Sequence, residues 1–136
     1  MRSYELISHT ADIRLQVKGD SLEELFTASF EGMNEVAKKG EKNLPIQAEE
    51  KIVLTSIDKT TLLIDFLSEV LTHMHINHTI YSKLIFDKLT EKYLSATISG
   101  YQVESFDKDI KAVTYHEAEI RKNEKGNFEV IIVFDI

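Results

Sequence analysis

Apolar and polar residues alternate with a period of two from Asp12 to Lys18. Ile13, Leu15 and Val17 fall on one side, and Asp12, Arg14, Gln16 and Lys18 on the other. This pattern predicts a half-buried strand with a polar outer face. A shorter strand is expected over Tyr4 to Ser8, and Gly19-Asp20 should turn the chain. At Ser21 the period changes. Leu22, Leu25, Phe26, Phe30, Met33, Val36 and Ala37 recur at the spacing of a helix with one apolar stripe. Ser21 with Glu24 three residues on reads as a capping box. Lys38 and Lys39 suit the negative end of the helix dipole, and Gly40 is the expected stop.

Gly40 to Ala48 is polar, holds the only proline, Pro45, and reads as a loop. Glu50 to Ile57 is rich in β-branched residues and predicts a strand. Asp58-Lys59-Thr60 leads into a second helix, with Leu63, Phe66, Leu67, Val70, Leu71 and Met74 at helical spacing and an end near Asn77. Strands are expected from Ile80 to Leu89, Tyr93 to Val103, Ala112 to Lys122 and Phe128 to Ile136. Asn123 to Asn127, containing Gly126, reads as the hairpin turn between the last two. The order predicts an α+β fold, two helices packed on a largely antiparallel, partly mixed β-sheet.

Length adds one bound: 136 residues without repeat or linker suit one domain with its own core. The chain has no cysteine, so disulfides and thiolate metal sites are excluded. No apolar run has the length of a signal peptide core or a membrane span, and a cytoplasmic location is expected. A net charge of −7, with 16 basic against 23 acidic residues, argues against tight binding to nucleic acid. It suits a metal ion or a basic protein surface better.

The candidate chemistry lies at the two ends of the chain. In FEVIIVFDI, Phe128, Val130, Ile132 and Phe134 share one face, and Glu129, Ile131, Val133 and Asp135 the other. Asp12 likewise points away from the apolar face of its own strand. If the two strands are neighbours, Asp12, Asp135 and the terminal carboxylate of Ile136 converge, and a hard divalent cation is the natural occupant of such an oxygen cluster. Spacing alone leaves open that Asp135 merely ends a strand in solvent. His9 is a candidate partner of Asp12 behind such a metal, and Thr10 a local backbone cap. His73, His75 and His78 lack a metalloprotease arrangement and read as a solvated helix end. Lys111 and His116 flank another strand entry. As bare residues they are more often surface side chains than a phosphate anchor and a base. No dinucleotide fingerprint, phosphate-binding loop or nucleophile elbow occurs.

Taken together, five blocks in order resemble the archease family: His9-Thr10-Ala11-Asp12-Ile13, Ser21 to Phe26, Leu62 to Leu71, Lys111 to His116, and Val130 to Ile136. The resemblance runs essentially end to end. It implies an archease-like domain that acts as a protein cofactor, not as an enzyme. The implied partner is an RtcB-type RNA ligase of tRNA splicing, whose guanylylation and repeated turnover the archease promotes and whose nucleotide use it broadens. It further implies that Asp12, Asp135 and the Ile136 carboxylate bind a divalent cation, calcium by the family pattern, and that Lys111 matters for activity in the ligase complex. Arg14 stands where the family often has a small residue, and Gly100-Tyr101 where Gly-Glu is expected. Two other readings compete: a chaperone or modulator of proteins that process DNA or RNA, and a metal-dependent hydrolase built on Asp12, Asp135 and His116.

Overall fold

The computed structural model describes residues 1–8, 12–40 and 43–136. Strands β1 (Ser3–Ser8) and β2 (Asp12–Gly19) precede helix α1 (Leu22–Ala37). Strand β3 (Ala48–Thr55) leads into helix α2 (Lys59–Asn77). Strands β4 (Thr79–Leu89), β5 (Tyr93–Gln102), β6 (Ala112–Thr114), β7 (Arg121–Lys122) and β8 (Phe128–Asp135) follow. The α+β reading and both helices are therefore observed.

The strands form two sheets rather than one. The first runs β1-β2-β8-β6, with β7 also on β8, and the second runs β3-β5-β4. Every pair among the described residues is antiparallel, so the mixed component expected from the sequence does not occur there. The reason lies in the β3-α2-β4 crossover. Its two strands run parallel, but β5 inserts between them and pairs antiparallel with both.

Both helices touch strands of both sheets, α1 through β2 and β4, and α2 through β3, β4 and β6. One hydrophobic cluster unites the layers. Ile13, Leu15 and Val17 of β2 are fully buried in it, as the alternation predicts. At its centre Phe66 of α2 stacks between Phe26 and Phe30 of α1, at ring distances of 6.1 and 6.3 Å. Phe86 of β4 closes the group edge-on to Phe26 at 6.5 Å. Gly32 lets α1 approach β2, since a Cβ there would lie 2.6 Å from Leu15 Cδ2.

The helix starts follow their caps. Ser21 Oγ accepts from the Glu24 N–H at 3.1 Å, and Asp58 Oδ1 from the Thr61 N–H at 2.8 Å. That backbone donor holds the Asp58 carboxyl below the usual carboxylate range. The end of α1 differs from expectation. It stops at Ala37 rather than Gly40, because Ala37 O accepts the N–H groups of Asp107 and Lys108 at 2.8 and 3.3 Å. Lys38 Nζ and the Lys39 N–H are drawn to the same segment, at Ser105 O and Asp107 Oδ2. A strand-to-strand connection thus does the work assigned to a glycine. The strand expected over Ala112 to Lys122 is also broken. Glu117 adopts a left-handed backbone with φ of 61°, and the Ala118 N–H closes a turn on Tyr115 O at 3.1 Å. Only β6 and β7 survive of it.

Candidate functional site

The register of β2 and β8 builds the site. These strands are direct neighbours, and Asp12 stands opposite Asp135, followed by Ile13 opposite Phe134 and Arg14 opposite Val133. Partners directly opposite share a face with their Cβ atoms about 5 Å apart. Apolar Ile13 and Phe134 point to the core, so the two aspartates point out together. On its other side Asp135 faces Ala112 of β6, a side chain too short to offer a polar group. The Lys111 N–H donates to Asp135 O at 2.8 Å and clamps the end of β8. Lys111 itself is exposed, and its ammonium has no partner among the described residues. Ile136 follows at 36% exposure.

Like charges directly opposite one another destabilise a strand pair. No hydrogen bond from the described residues relieves this one at Asp12 Oδ1. Asp12 Oδ1 is buried and lacks a hydrogen-bond partner among the described residues, and so does Arg14 Nε, 4.0 Å away. Arg14 spends its Nη1 on an ion pair with Glu117 Oε2. A buried, orphaned carboxylate oxygen beside a second carboxylate is the donor chemistry that a hard cation takes. Asp12 and Asp135 thus fit a divalent ion, with water or a partner protein supplying further oxygens.

The remaining candidates distribute as follows. His9 and Thr10 lie outside the described residues. His116 follows β6 in the turn, donates its N–H to Thr114 Oγ1 at 3.3 Å, and has no register partner on the carboxylate row. His75 and His78 both lie against the Phe106 ring, at 6.0 and 6.4 Å, and His75 Nε2 is 3.8 Å from Asp109 Oδ1. They fasten the connection that caps α1. Among the described residues no three His, Asp or Glu side chains form a ready metal cluster. Tyr101 is buried opposite Ile80 in the second sheet, so the Gly100-Tyr101 departure does not touch the β2-β8 row.

Two features escaped the sequence. Glu117 pairs with a residue 103 positions earlier, which no local spacing signals. Asp65 of α2 accepts from Ser56 Oγ at 2.7 Å and from Tyr115 Oη. The Asp65 bond, then burial, raises the Tyr115 phenol above its ordinary value. Here a signal existed, an acid set between Ile64 and Phe66, both fully buried. Beside Glu117, a groove of about 450 Å³ runs between Gln16 and Ile131 and the arm from Glu117 to Arg121.

The sequence model of the Archease protein family (MTH1598/TM1083) matches residues 4–136. The archease of Methanosarcina mazei is 34% identical over 143 residues, spanning 99% of this chain and 97% of that protein. An archease of Saccharolobus islandicus is 35% identical over 144 residues, spanning all of both. The solution structure of Methanobacterium thermoautotrophicum protein 1598 superposes with a TM-score of 0.78 at 26% identity, over 98% of each chain. The crystal structure of a Thermotoga maritima archease, called a possible chaperone, shares the fold at a TM-score of 0.68 and 20% identity.

Proposed function

Because this chain belongs to the archease family, we propose that it acts as a protein cofactor of an RtcB-type RNA ligase, promoting guanylylation and repeated turnover and widening nucleotide use. The observation that carries this reading is the register pair Asp12–Asp135 with its orphaned Oδ1. A ligase centre that holds RNA and a guanine nucleotide must be electropositive. A chain of net charge −7 with outward carboxylates on a rigid sheet end suits such a surface without competing for RNA. Asp12, Asp135 and the Ile136 carboxylate would hold a divalent cation, calcium by family pattern, and the ion would supply charge and oxygen coordination at the docking edge. Ala112 leaves the approach to Asp135 open, and β2 and β6 on either side of β8 hold the carboxylates at a fixed spacing. Lys111, without a partner among the described residues at the same edge, would meet a phosphate or an acidic group of the ligase complex. In this reading the chain orients a partner's chemistry and carries out none of its own.

The test is multiple-turnover RNA ligation by the cognate ligase, with GTP and divalent metal, at substoichiometric amounts of this protein. Product should exceed one turnover per ligase only when the protein is present. No gain would remove the proposal. A tag after Ile136 should impair the gain while an N-terminal tag is tolerated, and equal activity of both would remove the terminal carboxylate from the site.

A chaperone or modulator role is the second reading. It draws on the apolar side chains of β1, an outer strand of its sheet, where Tyr4, Leu6 and Ile7 are 40, 43 and 38% exposed. It predicts suppression of client aggregation that Leu6→Ser weakens and Asp135→Ala leaves unchanged.

A further inference from the structure

The Arg14 guanidinium is divided between two acids. Its Nη1 is tied to Glu117 Oε2. Its Nε stops 4.0 Å from Asp12 Oδ1, beyond hydrogen-bond reach, and both facing atoms are buried and unpartnered among the described residues. Closing that gap by about 1 Å would form the charge-assisted bond that arginine and carboxylate ordinarily make. It would also satisfy two groups that are costly to bury alone. The other end of the guanidinium is held in the turn after β6. Glu117 is set there by a left-handed backbone and by the Ala118 N–H on Tyr115 O, and it pairs with the other end of the same planar fork.

From this geometry we infer that Glu117 restrains Arg14 as a built-in counter-ion of the carboxylate edge, and that the pair sets how tightly the edge holds a divalent cation. The inference rests on the cation reading above. With Glu117 in place, Asp12 keeps one oxygen free, and Arg14 weakens cation binding through its charge alone. Released from Glu117, Arg14 closes on Asp12 and takes that oxygen. Arg14 and Glu117 are thus positioning residues that act through Asp12.

The experiment is calorimetric titration of calcium chloride into the full chain and into Arg14→Ala, Glu117→Gln, the double variant and Asp12→Asn, with melting curves to show that each is folded. Arg14→Ala should tighten calcium roughly tenfold, the order expected for removing one charge about 4 Å from a ligand oxygen. Glu117→Gln should weaken it by a similar factor. In the Arg14→Ala background the second change should shift affinity by less than about twofold, because its effect runs through Arg14. Calcium binding by Arg14→Ala but not by the natural chain would support the inference in its extreme form. Equal affinity of the natural chain and Arg14→Ala would overturn it, and so would a Glu117→Gln loss that persists without Arg14. Calcium binding by neither chain, or binding that survives Asp12→Asn unchanged, would overturn the cation reading itself and this inference with it.

Discussion

Two exposed faces of the molecule treat their aspartates in opposite ways. On the three-stranded sheet, Asp87 of β4 receives Lys51 Nζ at 3.0 Å and Ser95 Oγ at 3.3 Å. Chiefly through the Lys51 hydrogen bond, its carboxyl sits below the usual carboxylate range. On the other sheet, Asp12 and Asp135 face each other in register, and one oxygen of Asp12 has no partner among the described residues. The first carboxylate is neutralised by its own strands, and such an exposed pair adds little stability. The second arrangement costs stability and is held in place by two flanking strands. An acid satisfied on one face and a pair left opposed on the other is the contrast that the proposed cation site predicts.

The sharpest way to break that contrast is by substitution. Asp135→Ala should abolish the gain in ligase turnover, whereas Asp87→Ala should leave it intact. The comparison fails if both behave alike in the ligation assay. Asp135→Asn should at the same time raise the melting temperature without added calcium, since removing a like-charge neighbour relieves ~0.2–1 kcal/mol.

Calcium should act on one face only. At a free concentration about a hundred times its dissociation constant, a ligand bound only by the folded state adds ~2.7 kcal/mol, visible as a higher denaturant midpoint. Asp12→Asn should lose that shift and Asp87→Asn should keep it. A shift retained in Asp12→Asn would place the ion elsewhere.

A third change separates scaffold from site. Gly100 of β5 lies against β4 so closely that a Cβ would meet Ile80 O at 1.9 Å. Gly100→Ala should destabilise by ~1–3 kcal/mol through overpacking. Calcium affinity, measured by calorimetry well below the melting transition, should not change. A parallel fall in affinity would show that the second sheet does more than support the first.

Much of this was legible in the chain. The period of two over Ile13, Leu15 and Val17, and again over Phe128 to Phe134, assigns the aspartates to outward faces before any pairing is known. The helix starts were legible too, the first through the Ser21 capping box and the second as the lead Asp58-Lys59-Thr60, although that Asp58 itself caps is seen only in the fold. What was hidden depends on partners far along the chain. The stop at Ala37 is made by residues 107 and 108, and the break at Glu117 accompanies an ion pair to Arg14. Both override local propensity, which favoured Gly40 and an unbroken strand. The division into two sheets was hidden for a similar reason, since nothing local in β3 or β4 says that β5 will come between them.

Asp65 lies between the two extremes and gives the smallest effect. It is partly buried and satisfied by Ser56 and Tyr115, like Asp87, yet it sits next to the segment that carries Glu117. Tyr115 keeps its proton to higher pH in the folded chain, first because it donates to Asp65 and then because of burial. A folded-state value above the unfolded one means that the contribution is fully present below the ordinary phenol value of 10.0 and is lost as pH rises through the raised value. Tyr115→Phe should therefore lower the urea midpoint by a nearly constant, small amount from neutral pH to about 10, where free phenols begin to ionise. Above that the two proteins should converge. The effect stays small because Tyr115 is 57% exposed and water competes for the bond. Parallel midpoints for the two chains through the whole alkaline range would show that the Tyr115–Asp65 bond contributes nothing to the folded state, and that the turn bearing Glu117 is held by its other contacts, Arg14 and Thr114 among them.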